Sequence, residues 1–367
     1  MLLLIPGPVT THDAVRAAAA CDYAPWDNEF RTLVERVRTR VLRLAGGREG
    51  EHTALPLQGC GHFALEAACR TFVAPDGRIL VPKTGQYADR LERLAHEAGR
   101  VVVGLAVPDG ARVDPDALRA ALRADPTLTH VALVYSETAT GLIHDVPALA
   151  ALAGQEGRRV IVDAVSAFGA LPLDLATLPM IDSVCFTTNK CIEGLPGASF
   201  TIARIDRLEA SVGQAQSWSF DLADLHQHYR QMPGSHRYTP AAGAIASFDV
   251  ALDLFDAEGG QPARLARYTA IMGRLYDGVV GLGLTPCLPF ALQGPIVVNV
   301  RAPADPAWRL QEFVDQLKRR GVLISNFYNT AEPSFRVGCI GAITPDDMGR
   351  AVECMTQALD DMTVHRR

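Results

Sequence analysis

Short apolar runs alternate with segments of helical period along most of the chain from residue 53 onward. Six runs have the length and composition of buried strands: TALPLQG, RILVPK, RVVVGLAV, HVALVYSE, RRVIVDAVS and SVCFTT. Between them lie predicted helices, 86–98 with apolar residues on one face and 114–124, which opens with Asp114-Pro115. Repeated β-α-β order implies right-handed crossovers, so we predict an α/β fold with a mainly parallel sheet covered on both faces.

The segments that flank this core predict further helices and a second, smaller lobe. Residues 27–45 carry apolar side chains at helical spacing, and residues 216–281 are predicted to be mostly helical. The tail changes character, with the runs PIVVNVR, VLISNF and SFRVGCIG, a helix over 305–319 and a capping sequence, TPDD, before a last helix. We therefore predict an N-terminal segment and large domain over 1–260 and a small C-terminal α+β domain over 261–367.

Composition and charge favour small-molecule chemistry. The chain has 367 residues, 48% of them hydrophobic, so it can bury a large core. Its 35 Lys and Arg and 41 Asp and Glu form no long single-sign run, so we expect neither nucleic acid nor a membrane as a partner. The apolar start is broken by Pro6-Gly7-Pro8, unlike a secretory signal, and we expect a cytoplasmic protein. Eight cysteines without a C-x-x-C pair favour reduced thiols, and we predict no metal site.

Residues that can carry chemistry follow several of the predicted strands, where ligands bind in parallel sheets. In QGCGHFALEAA (58–68), a glycine-flanked turn leads into a helix, and its amides suit an anion such as phosphate. A plain strand-helix connection has the same pattern. Asp163 ends a run that should be buried, so its carboxylate either accepts backbone hydrogen bonds or faces a cation. A hydroxyl-rich loop, YSETATG (135–141), follows another strand.

Lys190 lies in the stretch CFTTNKCIEGLPG (185–197), after the strand that should neighbour the one ending at Asp163. Taken alone it could be a solvated surface lysine, as most lysines are. Together, however, an anion-binding turn, a loop hydroxyl, a buried aspartate and a lysine at one sheet edge match the needs of pyridoxal 5'-phosphate. Its phosphate needs the turn, its ring nitrogen needs a carboxylate, and its aldehyde needs a lysine for a Schiff base.

The chain resembles the class V aminotransferases of pyridoxal-phosphate fold type I over nearly its whole length. The matching stretches are LLIPGPVTT, DYAPWDNEF, LQGCGHFALEAA, SETATG, VDAVSAFG, NKCIEGLPG, EGG and FRVGCIG. WDNEF and NKCIEGLPG are most similar to members of the family that act on 2-aminoethylphosphonate and pyruvate. The resemblance implies a homodimeric enzyme with a sheet of the seven-stranded type. It also implies an amino donor and a 2-oxo acid as substrates, with phosphonoacetaldehyde and alanine as products.

Carried onto this sequence, the resemblance implies a role for each matching residue. Lys190 would form the Schiff base and Asp163 would pair with the pyridine nitrogen, so these two are the predicted catalytic residues. The other predicted cofactor contacts are Tyr87 and Val165 on the two faces of the ring, Thr138 at the phenolic oxygen, and Cys60, Gly61 and His62 around the phosphate.

Three further residues follow from the same resemblance. Thr239, in HRYTP, would complete the phosphate site of a second subunit. Arg336 would bind the anionic group of the substrate, and Gly7 would line the same space. An arginine accepts a phosphonate or a carboxylate, so Arg336 does not decide which of the two the amino donor carries.

Two departures from the family pattern concern the substrate. Members that act on phosphonates usually carry Ser-Gly-Thr where this chain has Cys60-Gly61-His62, and a histidine there is typical of alanine:glyoxylate and serine:glyoxylate transaminases. Cys339 stands where asparagine is usual. A glyoxylate-type transaminase is therefore an alternative. A third hypothesis is a non-catalytic α/β binding protein whose Lys190 forms no Schiff base.

Overall fold

The computed structural model describes residues 1–326 and 332–365 of the chain. The strands are β1 (Leu2–Leu3), β2 (His52–Gln58), β3 (Arg78–Lys83), β4 (Val101–Ala106), β5 (Leu128–Val134), β6 (Ser136–Glu137), β7 (Leu142–Ile143), β8 (Arg159–Asp163), β9 (Ile181–Thr187), β10 (Ala198–Arg204), β11 (Val297–Arg301), β12 (Val322–Leu323) and β13 (Ser334–Gly338).

Helices cover the sheet and build most of the C-terminal part. They are α1 (Asp13–Ala19), α2 (Asn28–Leu44), α3 (Gly61–Phe72), α4 (Gln86–Glu97), α5 (Pro115–Ala124), α6 (Val146–Gln155), α7 (Ile205–Ala210), α8 (Leu222–Gln231), α9 (Ala242–Glu258), α10 (Gly260–Gly281), α11 (Leu310–Arg319) and α12 (Pro345–Asp361), with short 3-10 turns at Leu175–Thr177 and Phe290–Leu292. Among the described residues, no helix is both long and apolar enough to cross a membrane.

A seven-stranded sheet with the order β2-β10-β9-β8-β5-β3-β4 lies at the centre of the described chain. Strands β9, β8, β5, β3 and β4 pair in parallel, whereas β10 is antiparallel to both of its neighbours. The predicted α/β fold with a mainly parallel sheet is therefore confirmed, and all six predicted strands are present. The prediction did not name β10. A loop over residues 188–197 joins it to β9 without a crossover helix, as an antiparallel neighbour allows.

The predicted helix over 27–45 is also confirmed, and its amphipathic pattern explains its place. In α2 the side chains of Phe30, Val34, Val37 and Val41 are buried on one face, and the Asp27 carboxylate caps the first turn by accepting the Glu29 amide. This face packs on α9 and β2.

The C-terminal part departs from its prediction in two places. The predicted helix over 305–319 begins only at Leu310, because the Asp305 side chain accepts the Ala307 amide in a turn and Trp308 is buried against Phe313 at 5.0 Å between ring centroids. The predicted run VLISNF contains only the short strand β12, and its last residue, 327, lies outside the described residues. The last helix, α12, begins with the predicted capping sequence as a complete capping box.

Buried apolar residues form two clusters. The first is drawn from residues 15–255 and fills both faces of the large sheet. The second is drawn mainly from residues 268–364, and it also contains Leu4 and Val9 because β1 pairs in parallel with β12. The division near residue 260 stays a prediction, and the first residues of the chain pack with the C-terminal part.

Candidate active site

Lys190 lies three residues after β9, at the edge of the sheet where the parallel strands end. Its carbonyl accepts the Glu193 amide at 2.9 Å, which closes a tight turn, and its side chain lines a cavity of about 400 Å³. The N-terminal segment approaches so closely that a Cβ atom at Gly7 would lie 2.6 Å from Cδ of Lys190. Gly7 also has φ +145°, a conformation that other residues rarely adopt, so glycine is favoured there, and Gly7 lines the cavity as predicted.

Asp163 ends β8 beside β9, so the sheet brings it to the same edge as Lys190. Asp163 is 5% exposed, and its Oδ1 accepts the Val165 amide at 2.9 Å. Burial raises the pKa of Asp163 to about 6, although the Val165 amide and the charge of Lys190 act in the opposite direction. A cationic partner beside this carboxylate would therefore be held strongly.

Burial also lowers the pKa of Lys190 to about 8, from an ordinary value of 10.5. Arg336 and Arg90 disfavour the charged amine further, whereas Cys191 and Asp163 favour it. A lysine in this state presents a substantial fraction of neutral amine near neutral pH, which is the form that acts as a nucleophile or a base.

Arg336 reaches the same cavity from β13, far along the chain. It is 2% exposed, and its Nη1 donates to the Thr138 carbonyl at 2.9 Å. Burial lowers the pKa of Arg336, while contacts with Tyr87 and Glu137 raise it. Tyr87 stands in the first turn of α4 and lines the cavity too. Lys190, Tyr87, Arg336 and Gly7 thus face one space.

The predicted phosphate turn joins β2 to α3. Gly59 has φ +117°, and Cys60 is the N-cap of α3 without a capping hydrogen bond from its side chain. A Cβ atom at Gly61 would collide with Cγ2 of Val165, so the turn packs directly on that residue. The start of α3 thereby lies beside β8 and offers the partial positive charge of a helix N-terminus.

His62 is half-buried in the first turn of α3. Burial lowers the pKa of His62, and the neighbouring charges of Arg90 and Arg93 lower it further against a raising effect of Glu66. The neutral imidazole is therefore favoured, so His62 is a hydrogen-bonding group rather than a cation.

Arg90 was missed by sequence reasoning. Its guanidinium lies 5.1 Å from the ring centroid of Tyr87, and its charge acts on His62, Asp163 and Lys190. The spacing of three residues from Tyr87 on a predicted helix was the available indication, because such residues share a face.

Thr138 is buried, and its hydroxyl lies 2.8 Å from the Ser166 hydroxyl. Ser166 in turn donates to the Ser136 carbonyl at 3.1 Å. Ser166 was not predicted as a site residue, although it stands in the stretch VDAVSAFG that also contains Asp163. The pair of hydroxyls joins the loop after β5 to the end of β8.

Glu137 was also missed. It is fully buried, and its Oε1 accepts the Ala139 amide at 3.0 Å. A Cβ atom at Gly85, which has φ +149°, would lie 2.7 Å from Cδ of Glu137, so the start of α4 packs on this carboxyl group. Burial raises the pKa of Glu137 to about 7. The residue lies between the α4 end that carries Tyr87 and the loop that accepts Arg336.

Thr239 is not brought to this cavity within one chain. It is exposed and lines a separate cavity of about 160 Å³ with Gly197, Phe220 and Tyr238 among others. No cluster of three or more His, Cys, Asp or Glu side chains that could hold a metal ion occurs within residues 1–326 and 332–365.

Known proteins are similar to this chain over nearly its whole length. A protein named 2-aminoethylphosphonate–pyruvate transaminase from Burkholderia ambifaria is 40% identical over 363 residues, which cover 99% of this chain and 96% of that protein. A protein of the same name from Pseudomonas aeruginosa (strain PAO1) is 38% identical over 363 residues, which cover 99% of this chain and 97% of that protein.

Solved structures show the same fold. Pyridoxamine-pyruvate aminotransferase from Mesorhizobium loti superposes with a TM-score of 0.89 at 24% identity, covering 100% of this chain and 93% of that chain. Alanine–glyoxylate aminotransferase from Nostoc sp. superposes with a TM-score of 0.87 at 22% identity, covering 99% and 95%. The family profile described as "Aminotransferase class-V" matches residues 17–336, a span that runs from the first helices to Arg336 and includes Asp163 and Lys190, so this chain belongs to the class V aminotransferases.

Proposed function

We propose that the protein transfers the amino group of 2-aminoethylphosphonate to pyruvate, giving phosphonoacetaldehyde and alanine, with pyridoxal 5'-phosphate as cofactor. The observation that carries the proposal is the cavity that Lys190 and Arg336 both line. It places a nucleophilic amine and an anion-binding guanidinium around the same space. Relatives that bear this activity in their names are about 40% identical over nearly the full chain, which supports the choice of substrates.

The residues around the cavity fit this cofactor. Among the hydrogen bonds of the described residues, Asp163 uses only Oδ1, which leaves Oδ2 for a pyridine N–H. The start of α3 suits a phosphate, and Tyr87 suits one face of the ring. When bound, pyridoxal phosphate supplies an electron-accepting ring that takes up charge from the substrate.

Each of these side chains has a definite task in the proposed reaction. Lys190 Nζ would hold the cofactor's aldehyde carbon, and once displaced by the donor amine it would move a proton from the carbon that bears nitrogen. Its lowered pKa, about 8, suits this exchange near neutral pH. Asp163 would keep a proton on the ring nitrogen. Arg336 would bind the phosphonate of the donor and then the carboxylate of pyruvate.

The position of Thr239 is the basis for proposing an oligomer. The residue is exposed and lies apart from the cavity of its own chain. We infer a homodimer in which Thr239 of each chain reaches the phosphate site of the other, and in which Cys60, Gly61 and His62 form the rest of that site.

A second candidate is transamination with glyoxylate, favoured by His62. The two are separated by following the absorption band of the cofactor-loaded protein during titration with 2-aminoethylphosphonate, alanine and serine, and then with pyruvate and glyoxylate. Bleaching by the phosphonate and return with pyruvate is the expected result. Bleaching by alanine or serine alone would favour the glyoxylate activity, and a protein that stays colourless with the cofactor would overturn both.

A further inference from the structure

A largely buried ion cluster lies directly behind the Lys190 turn, with Arg264 and Tyr268 fully buried and Glu258 and Arg267 partly exposed. Its members are Glu193, Glu258, Arg264, Arg267 and Tyr268. The Arg267 guanidinium lies 2.6 Å from Glu193 Oε1 and 2.8 Å from Glu258 Oε1, and Arg264 Nε lies 2.8 Å from Glu258 Oε2. Two carboxylates face two guanidinium groups, so the charges balance in a region where an unpaired charge would be costly.

The backbone of Glu193 is unusual. It has φ +64°, in the left-handed region that glycine adopts without strain, although the next residue, Gly194, is the glycine. A non-glycine residue in this conformation is strained, and such strain persists where the surroundings over-determine it. Here the contacts of the Glu193 side chain hold its backbone in this conformation.

On the side that faces the active site, the cluster forms hydrogen bonds with the residues next to Lys190. Arg264 Nη1 donates to the Cys191 carbonyl at 2.5 Å, and the Tyr268 hydroxyl lies 3.0 Å from the same carbonyl. The Glu193 amide donates to the Lys190 carbonyl at 2.9 Å, and the Tyr268 hydroxyl lies 2.7 Å from Glu193 Oε1. The turn is therefore held to α10 through both its backbone and its side chain.

The cluster also forms hydrogen bonds with the segment that follows β13. Arg267 Nη1 donates to the carbonyls of Gly341 and Ile343 at 2.7 and 2.9 Å, and the Gly341 amide donates to the Tyr268 hydroxyl at 3.3 Å. Strand β13 carries Arg336. One cluster thus holds the segment after the lysine and the segment after the arginine.

We propose that Glu193 is a positioning residue that fixes the Lys190 turn against α10 and the 341–343 segment, and so sets the separation of Lys190 Nζ from the Arg336 guanidinium. The inference rests on the proposed function, in which the substrate spans these two groups. A substrate anchored at Arg336 reacts only if its amino-bearing carbon lies in reach of Lys190, and small misplacements reduce the reaction rate severely.

The test compares Glu193→Gln with Glu258→Gln in the cofactor-loaded protein. Both substitutions remove one negative charge from the same two arginines, but Glu258 ends α9 and makes no hydrogen bond to the 188–194 segment among those of the described residues. We expect similar losses of Tm for the two variants. For E193Q we expect kcat to fall about tenfold or more with KM within about twofold, since substrate still binds Arg336 while the reacting carbon is misplaced.

For E258Q we expect kcat to stay close to that of the wild type. Tyr268→Phe removes only the hydroxyl that contacts Cys191, Glu193 and Gly341, and it should lower kcat in the same way as E193Q but less. It keeps the test decisive should E193Q fail to fold. Cofactor affinity, measured by absorption titration, should be retained in all three variants.

Two results would count against the inference. The first applies if the wild-type protein is active and E193Q has the same kcat as E258Q, or Y268F does where E193Q does not fold. Glu193 then contributes only stability, and the positioning role is overturned while the proposed function stands. A wild-type protein that transfers no amino group would overturn the proposed function, and this inference with it.

Discussion

Burial shifts the pKa values of Lys190 and Asp163 in opposite directions, and in both cases it favours the neutral form. It lowers the pKa of the amine to about 8 and raises that of the carboxyl group to about 6, because the charged form of each is disfavoured away from water. Lys190 is therefore ready to exchange protons near neutral pH, whereas the buried Asp163 carboxylate gains from a cationic partner such as a protonated ring nitrogen.

Replacing the lysine tests its role most directly. We expect Lys190→Ala to fold, to show no absorption band of lysine-bound cofactor and to lose amino transfer entirely. The matched control is Lys318→Ala, since Lys318 is an exposed lysine that lines the same cavity. It should keep both the band and the activity. Amino transfer by the Lys190 variant would contradict the assignment.

The lowered pKa of Lys190 predicts a pH dependence for the apoprotein. Only the neutral amine attacks the cofactor's aldehyde, so the rate of cofactor uptake should rise between about pH 7 and pH 8 and level off above the folded-state pKa, about 8. Stopped-flow absorption measures this rate. A rate that does not change with pH over this range would contradict the prediction.

The lowered pKa of Lys190 also makes the free energy of unfolding depend on pH. Between pH 8 and 10.5 the unfolded chain keeps the proton that folded Lys190 has lost, so the unfolded state binds more protons. The free energy of unfolding contributed by this group therefore rises with pH across that window. The Lys190→Ala variant, measured by denaturant unfolding over the same range, should lack this rise.

Asp163 has a separate prediction. Asp163→Asn keeps the size of the side chain but cannot hold a proton on a ring nitrogen as an anion does. We expect the cofactor to bind Lys190 more weakly yet visibly, and amino transfer to fall about 10²-fold or more, comparable to the loss of a general acid or base. Retention of full turnover by this variant would remove Asp163 from the mechanism.

At the scale of elements, the contact between the start of α3 and Val165, two residues after β8, fixes the shape of the proposed phosphate turn. Gly61→Ala places a Cβ atom against the stiff, β-branched Val165, so one of them must shift. We expect cofactor affinity to fall about tenfold, equivalent to a loss of roughly 1.4 kcal/mol, as measured by absorption titration.

The control for this substitution is Gly273→Ala in α10, where a Cβ atom meets nothing within 4 Å. Alanine favours a helix interior over glycine by roughly 0.5–1 kcal/mol, so this variant should keep its cofactor affinity and gain slightly in Tm. Equal cofactor affinities for the two variants would show that the Gly61–Val165 contact is not limiting.

Elements were predicted well where their pattern is local. The strands β2, β3, β4, β5, β8 and β9 are apolar runs bounded by turns, and α2 has a complete apolar face. Strand β10 was missed because the loop over residues 188–197 replaces the expected crossover helix. Helix α11 was predicted too long because the buried Trp308 belongs to a turn rather than to the helix. In both cases a neighbour in space overrides the local pattern.

At the scale of the whole molecule, the proposed dimer can be tested by mixing subunits. Lys190→Ala should be inactive and Thr239→Ala should bind cofactor weakly. If Thr239 acts across the dimer, a mixed dimer has one site with both an intact lysine and the partner's threonine. Random mixing should therefore restore about one quarter of the sites.

The measurement is activity after co-refolding or co-expression, compared with each variant alone at the same cofactor concentration. A mixture no more active than the average of the two would place Thr239 in its own chain's site or in none.

The local pattern of the sequence by itself determined the α/β order, the helical flanks and the placement of Asp163 and Lys190 at one sheet edge. It could do so because hydrophobic period is a local property and because the ends of parallel strands meet by construction. The family resemblance added the role of Arg336, which its own strand pattern does not indicate.

Only the tertiary structure brought Arg336 to the Thr138 carbonyl, 198 residues away along the chain. It also decided the position of Arg90 over Tyr87 and the buried cluster around Glu193. Such contacts join elements whose separation in sequence carries no periodic pattern, and they depend on how whole layers pack. The polar groups concerned resemble ordinary surface residues until packing removes them from water.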